Sequence, residues 1–384
     1  MSFHKKALYT DMTQNYLTPV EPMSHTRVKV RFRTGRGNVD RVTICYNGQK
    51  AIMRKDSFDD MFDYYAYHIR LTDEPIYYHF EVEAEDESCY YNRLGISKSE
   101  EARYDFILVP GFATPDWAKG AVVYQIYVDR FYNGDSSNDV VNDEYYYQGR
   151  PVKHAGHWND PVSRTDEGTF YGGDLQGIID KMDYLEGLGV EVLYLNPIFV
   201  SPSSHKYDIQ DYRHIDPHFG KIVNREECGL KDGYEQYRGI TTDRENLEAS
   251  DRLFARLVEE AHKRGMKVIL DGVFYCCGSW HRFMDKEGIY ANGDTCSIKG
   301  AYQDSNSPYR EYFQYKNPQD ANSYENWWGY EAYAKFNYEN SRKLYEYILS
   351  VAVKWVSKPF CADGWRVDVA ASVGNNREWN HHFW

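Results

Sequence analysis

The sequence predicts an all-β domain followed by an α/β domain built on a parallel sheet. Residues 1–112 contain short segments in which polar and apolar residues alternate, as in the strands of a sandwich. Residues 113–384 instead alternate continuous apolar runs with amphipathic helical patterns, the order expected of a parallel sheet covered by helices. Two of these apolar runs end in acidic residues, so the sequence also indicates where a functional site lies.

The predicted strands of the first domain are separated by turn residues. Alternating patterns occur at Arg27–Phe32, Val39–Tyr46, Tyr64–Leu71 and Ile76–Ala84. Gly35-Arg36-Gly37 supplies a turn after the first of them. Pro110 to Pro115 breaks secondary structure and is the predicted linker to the second domain.

The second domain is predicted from four apolar runs and three helical stripes. The runs predict strands near residues 121–128, 190–196, 267–274 and 362–369, and the stripes predict helices at Leu175–Leu188, from Ser250 to Gly265 and at Leu344–Trp355. Between about residues 275 and 340 lies a polar, tyrosine-rich stretch with few periodic segments. Because a structureless loop of that length is uncommon in a compact domain, we predict an inserted subdomain there.

Composition argues against several classes of partner. A formal net charge of −13 argues against nucleic acid and against an anionic membrane. No run reaches the length of a membrane-spanning helix, and Met1 to Tyr16 lacks the apolar core of a signal peptide. The seven cysteines are odd in number and irregularly spaced, which favours reduced thiols in a cytoplasmic protein.

Arg366 and Asp368 are two residues apart in the last apolar run. On a strand they project to the same side, where the cation favours the ionised form of the carboxylate. An ionised carboxylate suits a nucleophile for sugar chemistry, although a structural ion pair has the same appearance. A second apolar run ends in Asp271, and acidic side chains at the ends of two parallel strands favour one shared site.

Several ordered motifs extend this pattern through the chain. They are Tyr124–Phe131, Phe170–Leu175, Val192–Ile198, Ser204–Asp208, Val268–Phe274 and Asp363–Ala370. In this order they resemble the α-amylase family of glycoside hydrolases, and most closely its neopullulanase, cyclomaltodextrinase and maltogenic amylase branch. The resemblance implies a (β/α)8-type barrel of which only the first half is present, preceded by a β-sandwich domain of carbohydrate-binding type.

The resemblance also implies roles for individual residues. Asp368 would be the nucleophile of a retaining hydrolase of α-1,4-glucosidic bonds in maltooligosaccharides, cyclodextrins or pullulan, and Arg366 would hold it ionised. Asp271 would support Arg366 or the sugar pocket, unless it is only a strand-end ion pair. Tyr207 would stack on the sugar, and His205 would lie near the sugar hydroxyls. In that branch the amino-terminal domain helps to form dimers, which implies a homodimer here.

Two departures from the family pattern bear on activity. The family's general acid is a Glu on the fifth strand, and the chain is expected to end after the fourth, so we expect little or no activity from this chain alone. Tyr275-Cys276 stands where the family usually has Asn-His. The alternative hypothesis is therefore a non-catalytic glucan-binding or assembly protein derived from the family.

Calcium is the predicted cofactor. The loop from Asn133 to Asp139 is rich in hard oxygen donors, of which Ca²⁺ takes about 6–8. The resemblance implies a calcium site made of Asn133, Asp135, Asn138, Asp139, Gly172 (through its carbonyl) and Asp174. The alternative interpretation is a solvated turn, with Asp174 acting only as the N-cap of the helix that begins at Leu175.

Overall fold

The structure is a computed structural model that describes residues 3–85, 87–162, 166–225, 233–291 and 298–384. The chain divides into two units, Met1–Gly120 and Ala121–Trp384. The strands of the first unit are β1 (Leu17–Thr18), β2 (Arg27–Gly35), β3 (Arg41–Tyr46), β4 (Gln49–Ile52), β5 (Arg54–Phe58), β6 (Phe62–Arg70), β7 (Ile76–Ala84), β8 (Glu87–Asn92), β9 (Gly95–Ser97) and β10 (Phe106–Leu108).

Two antiparallel sheets form the first unit. One has the strand order β1-β2-β6-β5, and the other has the order β4-β3-β7-β8-β9 with β10 paired to β7. Their alternating apolar residues bury a shared core that includes Val30, Phe32, Ile44 and Phe80. The two-residue periodicity of the sequence predicted this unit because one face of each strand is buried.

The second unit contains a four-stranded parallel sheet and several short sheets of two or three strands. Its strands are β11 (Val123–Ile126), β12 (Tyr146–Tyr147), β13 (Arg150–Pro151), β14 (Lys153–His154), β15 (Thr169–Phe170), β16 (Val192–Leu195), β17 (Phe199–Val200), β18 (Asp211–Ile215), β19 (Lys267–Gly272), β20 (Cys276–Gly278), β21 (Asn326–Trp327), β22 (Tyr330–Lys335) and β23 (Gly364–Val367). The parallel sheet has the order β11-β16-β19-β23, so the four predicted strands are present and adjacent in chain order.

The second unit also contains six α-helices among the described residues. They are α1 (Leu175–Asp180), α2 (Met182–Gly187), α3 (Glu235–Thr241), α4 (Arg244–Lys263), α5 (Arg342–Val356) and α6 (Arg377–Phe383). Apolar residues of α1, α2, α4 and α5 share one core with Leu193, Leu195, Val268 and Leu270 of the inner strands. Burial on both faces explains why these strands are continuous apolar runs.

Two helix predictions need correction. The stripe from Leu175 to Leu188 is two helices, because the backbone leaves the helical conformation at Lys181. The predicted start at Ser250 is wrong: α4 begins at Arg244, and the Asp243 side chain caps it by accepting from the backbone N–H of Asn246 at 2.9 Å. Ser250 is accommodated inside the helix because its hydroxyl donates to the carbonyl of Asn246 at 2.7 Å.

The stretch after β19 contains a small antiparallel sheet with the order β20-β22-β21. Tyr275 and Cys276 lie where the chain passes from β19 into β20, and their side chains are buried. Ala334 of β22 packs in the main core of the unit, so this insertion is anchored on the parallel sheet. Residues 292–297 of the predicted subdomain lie outside the described residues.

The cysteines that the structure describes are free thiols, namely Cys45, Cys89, Cys276, Cys277 and Cys361. Cys228 and Cys296 lie outside the described residues. Within the described ranges, no helix combines the length and apolar character needed to cross a bilayer.

Candidate active site

Arg366 joins two acidic side chains at the carboxyl ends of neighbouring strands. Its Nη1 donates to Asp368 Oδ1 at 2.6 Å and to Asp271 Oδ1 and Oδ2 at 3.0 and 3.3 Å. The register of β19 and β23 places Asp271 directly opposite Arg366. Asp368 follows β23, and its backbone N–H donates to the Gly272 carbonyl at 3.0 Å. Sheet pairing therefore fixes both the guanidinium and the two carboxylates.

The three charged groups differ in their access to solvent. The side chain of Asp271 is fully buried, whereas Asp368 is 17% and Arg366 is 44% exposed. Burial alone would lower the pKa of Arg366, but the charge of Asp271 and the hydrogen bond to Asp368 outweigh it and raise that pKa. The guanidinium is thus a permanent positive charge, and Asp368 is the carboxylate of this group that a ligand can reach.

The backbone beside Asp368 is unusual. Val369 has a φ of +45° and a ψ of +39°, in the left-handed region that a β-branched residue rarely occupies. Backbone of this kind costs about 1–3 kcal/mol and is concentrated at functional sites. This conformation follows directly after the predicted nucleophile, between the end of β23 and a short 3₁₀ helix at Ala370–Ser372.

Two tyrosines also donate hydrogen bonds to Asp271. Tyr194 Oη donates to Asp271 Oδ2 at 2.5 Å, and Tyr207 Oη donates to the same oxygen at 2.9 Å. Burial raises the pKa of the Asp271 carboxyl, although Tyr194, Arg366 and Tyr207 all act to lower it. Burial and the neighbouring carboxylate raise the pKa of Tyr207 as well, so its hydroxyl keeps its proton as a donor. The ring of Tyr207 is thereby fixed at the site.

His205 lies beside Tyr207 and is held in one tautomer. Its Nδ1 accepts from the backbone N–H of Tyr207 at 3.0 Å, which assigns the imidazole proton to Nε2. Nε2 lies 3.4 Å from Glu167 Oε2 and 3.5 Å from Tyr333 Oη. The hydrogen bond from His205 lowers the pKa of Glu167. The imidazole side chain is only 15% exposed, and these contacts fix its orientation. His205 is therefore not a freely solvated loop residue.

The five residues predicted for sugar chemistry thus form one connected network. It runs from His205 through Tyr207 and Asp271 to Arg366 and Asp368. Sequence reasoning missed Tyr194, Glu167 and Tyr333. A signal for Tyr194 was available, because it is the one residue with a polar group between Val192 and Leu195. Glu167 and Tyr333 lie in polar surroundings of the sequence, where nothing distinguishes them.

The residues predicted to bind calcium lie together at the start of α1, and two of their carboxylates already have partners. Asp174 Oδ1 accepts from the backbone N–H of Gly177 at 2.6 Å, so Asp174 is the N-cap of α1. Its Oδ2 accepts from the backbone N–H of Asp135 at 2.8 Å. The Asp135 carboxylate is paired with Lys221 Nζ at 2.5 Å. Asp174 therefore caps α1, and this interaction does not depend on a bound metal.

The other four residues lie close together and include one buried oxygen that has no partner among the described residues. Asn138 Oδ1 is buried and has no hydrogen-bond partner among the described residues. Gly172 has a φ of +81°, and a Cβ there would lie 2.5 Å from both Asn133 Nδ2 and Asp139 Oδ1, so only glycine allows this close approach. Burial raises the pKa of the Asp139 carboxyl, which a cation would reverse.

The donor chemistry of this cluster suits calcium. Asn133 Nδ2 donates to Asp139 Oδ1 at 2.8 Å, and rotation of the amide by about 180° would present its oxygen instead. In the part of the chain that the structure describes, no group of three or more His, Cys, Asp or Glu side chains could hold a metal. Beside the Asp139 carboxylate, the remaining candidate ligands are the side-chain amides of Asn133 and Asn138 and the backbone carbonyl of Gly172. Oxygen ligands of this kind suit Ca²⁺ rather than zinc.

Comparison with known sequences places the chain in a family. The profile of the alpha amylase catalytic domain matches residues 125–228 and 248–382, and that of the alpha amylase N-terminal ig-like domain matches residues 1–109. The chain belongs to the alpha-amylase family. The resemblance inferred from the motifs is confirmed. The predicted fold class is confirmed with it, a barrel-type catalytic domain that follows an amino-terminal β-domain in the sequence.

Individual relatives agree with this assignment. Neopullulanase 2 of Thermoactinomyces vulgaris is 32% identical, with 94% of this chain and 54% of that protein covered. Cyclomaltodextrinase of Thermoanaerobacter pseudethanolicus is 31% identical, with 94% and 56% covered. The solved structure of the type III pullulan hydrolase from Thermococcus kodakarensis superposes with a TM-score of 0.57 at 26% identity, with 95% of this chain and 56% of that chain covered. The chain therefore spans about half the length of these relatives.

Replacing Asp271 by Ala tests the network directly. The substitution deprives Tyr194, Tyr207 and Arg366 of a shared acceptor. Because a buried donor without a partner costs about 1–3 kcal/mol, we expect the free energy of unfolding to fall by about 3 kcal/mol in urea denaturation. Asp271→Asn keeps one acceptor oxygen and should lose less. The control is Asp183→Ala, whose side chain is 84% exposed. A loss from Asp271→Ala no larger than that of the control would contradict the account.

Proposed function

We propose that this chain carries the nucleophile and its supporting residues for a retaining α-glucan hydrolase. The observation that carries the proposal is Asp368, a partly exposed carboxylate that a permanently charged arginine holds at a strand end. Relatives named neopullulanase, cyclomaltodextrinase and pullulan hydrolase support α-1,4-linked glucans as the substrate class, namely maltooligosaccharides, cyclodextrins or pullulan.

Asp368 would attack the anomeric carbon of the sugar with the oxygen that Arg366 does not bind. The bond to the leaving oxygen breaks, and a covalent glycosyl ester forms that water then hydrolyses. Arg366 Nη1 holds the attacking carboxylate in place through a hydrogen bond to its Oδ1 at 2.6 Å. Tyr207 would supply a fixed ring face against the sugar, and His205 would donate from Nε2 to a hydroxyl.

The leaving oxygen also needs a proton from a carboxylic acid. Asp271 is unsuited to that role, because its side chain is fully buried and accepts hydrogen bonds from three donors. A general acid typically contributes about 10²–10⁴ in rate. Where no other carboxylic acid protonates the leaving oxygen, we expect ordinary glucans to be cleaved slowly or not at all.

A non-catalytic glucan-binding protein is the second candidate. Tyr275 and Cys276 stand where the family usually has Asn-His, and their side chains are 3% and 0% exposed. The imidazole that the family usually presents to the sugar at this place is therefore absent. This substitution favours binding without turnover, whereas the retained Arg366–Asp368 pair favours turnover.

Three further parts of the proposal concern cofactor, location and assembly. Calcium would be held by oxygens of Asn133, Asn138, Asp139 and Gly172, and would stabilise the loop against α1. An intracellular location is supported by 34% identity to the intracellular maltogenic amylase of Bacillus subtilis. A homodimer would use the amino-terminal unit, where all five residues of β5 are exposed.

Glycosyl fluorides test the nucleophile because fluoride leaves without a proton from a general acid. We expect the chain to release fluoride from α-maltosyl fluoride, and Asp368→Asn to lower the rate by at least about 10³-fold. The control is Glu346→Gln, which changes an exposed ion pair on α5. An unchanged rate for Asp368→Asn would contradict the nucleophile assignment. Glucan binding without fluoride release by the unmodified chain would favour the second candidate.

Calcium is tested by thermal unfolding. We expect millimolar Ca²⁺, but not the same concentration of Mg²⁺, to raise the Tm by a few degrees, because a ligand of the folded state stabilises it by mass action. Asp139→Ala should abolish the rise, whereas Asp180→Ala, an exposed aspartate of α1, should retain it. An equal rise in both variants would contradict the proposed ligands.

A further inference from the structure

A buried lysine lies in the chain between the two loop residues of the candidate site, His205 and Tyr207. The side chain of Lys206 is only 1% exposed, and its Nζ donates to Asp216 Oδ2 and to the carbonyl of Ser201, both at 2.7 Å. A lysine is almost never fully buried unless its charge is paired. Because burying such a pair is costly, its place between two site residues points to a role in holding them.

The backbone at Lys206 is held in an unusual conformation. Its φ is +62°, in the left-handed region that residues other than glycine rarely adopt. The backbone N–H of Lys206 donates to Ser203 Oγ at 3.0 Å, and the same oxygen lies 3.0 Å from Nδ1 of His205. Conformations of this kind persist only where the surroundings fix them. Here the ion pair fixes the side chain, and Ser203 fixes the backbone.

Asp216 is in turn held by a second cation. Its Oδ1 accepts from the backbone N–H of His218 at 2.9 Å and lies 3.2 Å from Nδ1 of that imidazole. Nε2 of His218 lies 2.9 Å from Glu144 Oε1. Both carboxylates are fully buried. Since an ionised carboxylate can only accept, both ring nitrogens must donate, which makes His218 an imidazolium. We call Lys206, Asp216, His218 and Glu144 the buried charge network.

The charges of this network stabilise one another. Burial alone would lower the pKa of His218, but the charge of Glu144 and hydrogen bonds to Asp216 and Glu144 outweigh it and raise that pKa to about 8. Burial would raise the pKa of Asp216, but Lys206 and His218 outweigh it and lower that pKa. The charged and titratable groups around the imidazole are Asp216, Glu144, Lys206, Arg225, Asp139 and Tyr237. Because the pKa of His218 is raised on folding, its contribution to stability is complete below about pH 6.5 and is lost as the pH rises through about 8.

We propose that Lys206 is a positioning residue for the sugar site, and that the buried charge network sets the positions of His205 and Tyr207. This inference rests on the proposed function for what the site binds. The pairing of β19 with β23 places Arg366 and Asp368 independently of this loop. The network therefore controls how well a sugar is held rather than the attack on it. Loss of the imidazolium at alkaline pH weakens that control.

NMR of ¹⁵N-labelled histidines tests the positions without any substrate. In the unmodified chain we expect His205 to remain in the Nε2–H tautomer and His218 to stay an imidazolium up to about pH 8. Because Lys206→Met alone would leave a buried carboxylate short of a cation, Asp216→Asn is introduced with it. We expect this double variant to fold and its His205 signals to shift towards a mixture of tautomers.

The matched control is the double variant Lys55→Met with Asp63→Asn. Its Nζ–Oδ2 distance is also 2.7 Å and its aspartate side chain is 1% exposed, but the pair belongs to the first unit. It should leave the His205 signals unchanged. Fluoride release from α-maltosyl fluoride gives a second readout. We expect the Lys206 double variant to raise KM at least about 5-fold and to change kcat less than about twofold, and the control to change neither.

Glu144→Gln tests the network without altering Lys206. The amide keeps an oxygen that accepts from Nε2 of His218, but it removes the charge that raises the pKa of the imidazole. We expect the NMR titration of His218 to move about one pH unit lower. The KM of this variant should then exceed that of the unmodified chain about 3-fold at pH 8 and equal it at pH 6.

The outcomes separate this inference from the proposed function. An unchanged His205 tautomer in the Lys206 double variant, or an equal change in the control, would overturn the positioning role. So would a His218 titration that Glu144→Gln does not move. If the unmodified chain releases no fluoride, the proposed hydrolase fails, and the NMR signals still decide the positioning role. Conversely, fluoride release that depends on Asp368 but not on Lys206 would keep the hydrolase and overturn this inference.

Discussion

The site depends on one guanidinium that is shared between two strands. Arg366 bonds to Asp271 across the β19–β23 pair and to Asp368 on its own side of the chain. Because backbone pairing fixes the register, the two carboxylates cannot separate without breaking the sheet. The buried carboxylate binds the arginine and two tyrosines, and the second carboxylate remains partly exposed. One carboxylate therefore holds the network together, and the other is accessible to a ligand.

Much of this arrangement could be predicted from the sequence because it depends on local geometry. The spacing of Arg366 and Asp368 places them on one side of any strand. The contact between Arg366 and Asp271 could not be derived in this way, since a shift of one residue between β19 and β23 would turn one of them to the opposite face. The role of Tyr194 likewise depends on the register between β16 and β19, which the sequence does not specify. The predicted start of α4 was wrong because Ser250 does not cap the helix. Its hydroxyl instead donates to the carbonyl of Asn246 within the helix.

The loop before α1 is compatible with two interpretations of one residue. Asp174 caps the helix, and it lies beside Asn138, whose buried Oδ1 has no hydrogen-bond partner among the described residues. Sequence composition could not separate a cap from a metal ligand, because both need an acidic residue before the helix.

The central claim is that Asp368 forms a covalent bond to the sugar. In a 5-fluoro α-glycosyl fluoride, the ring fluorine slows both formation and hydrolysis of the ester, and the fluoride leaving group keeps formation the faster step. The glycosyl ester therefore accumulates and survives proteolysis. Mass spectrometry of the peptides then identifies the labelled residue. The account predicts a single glycosyl adduct on Asp368. An adduct on Asp271 or on any other residue would contradict it.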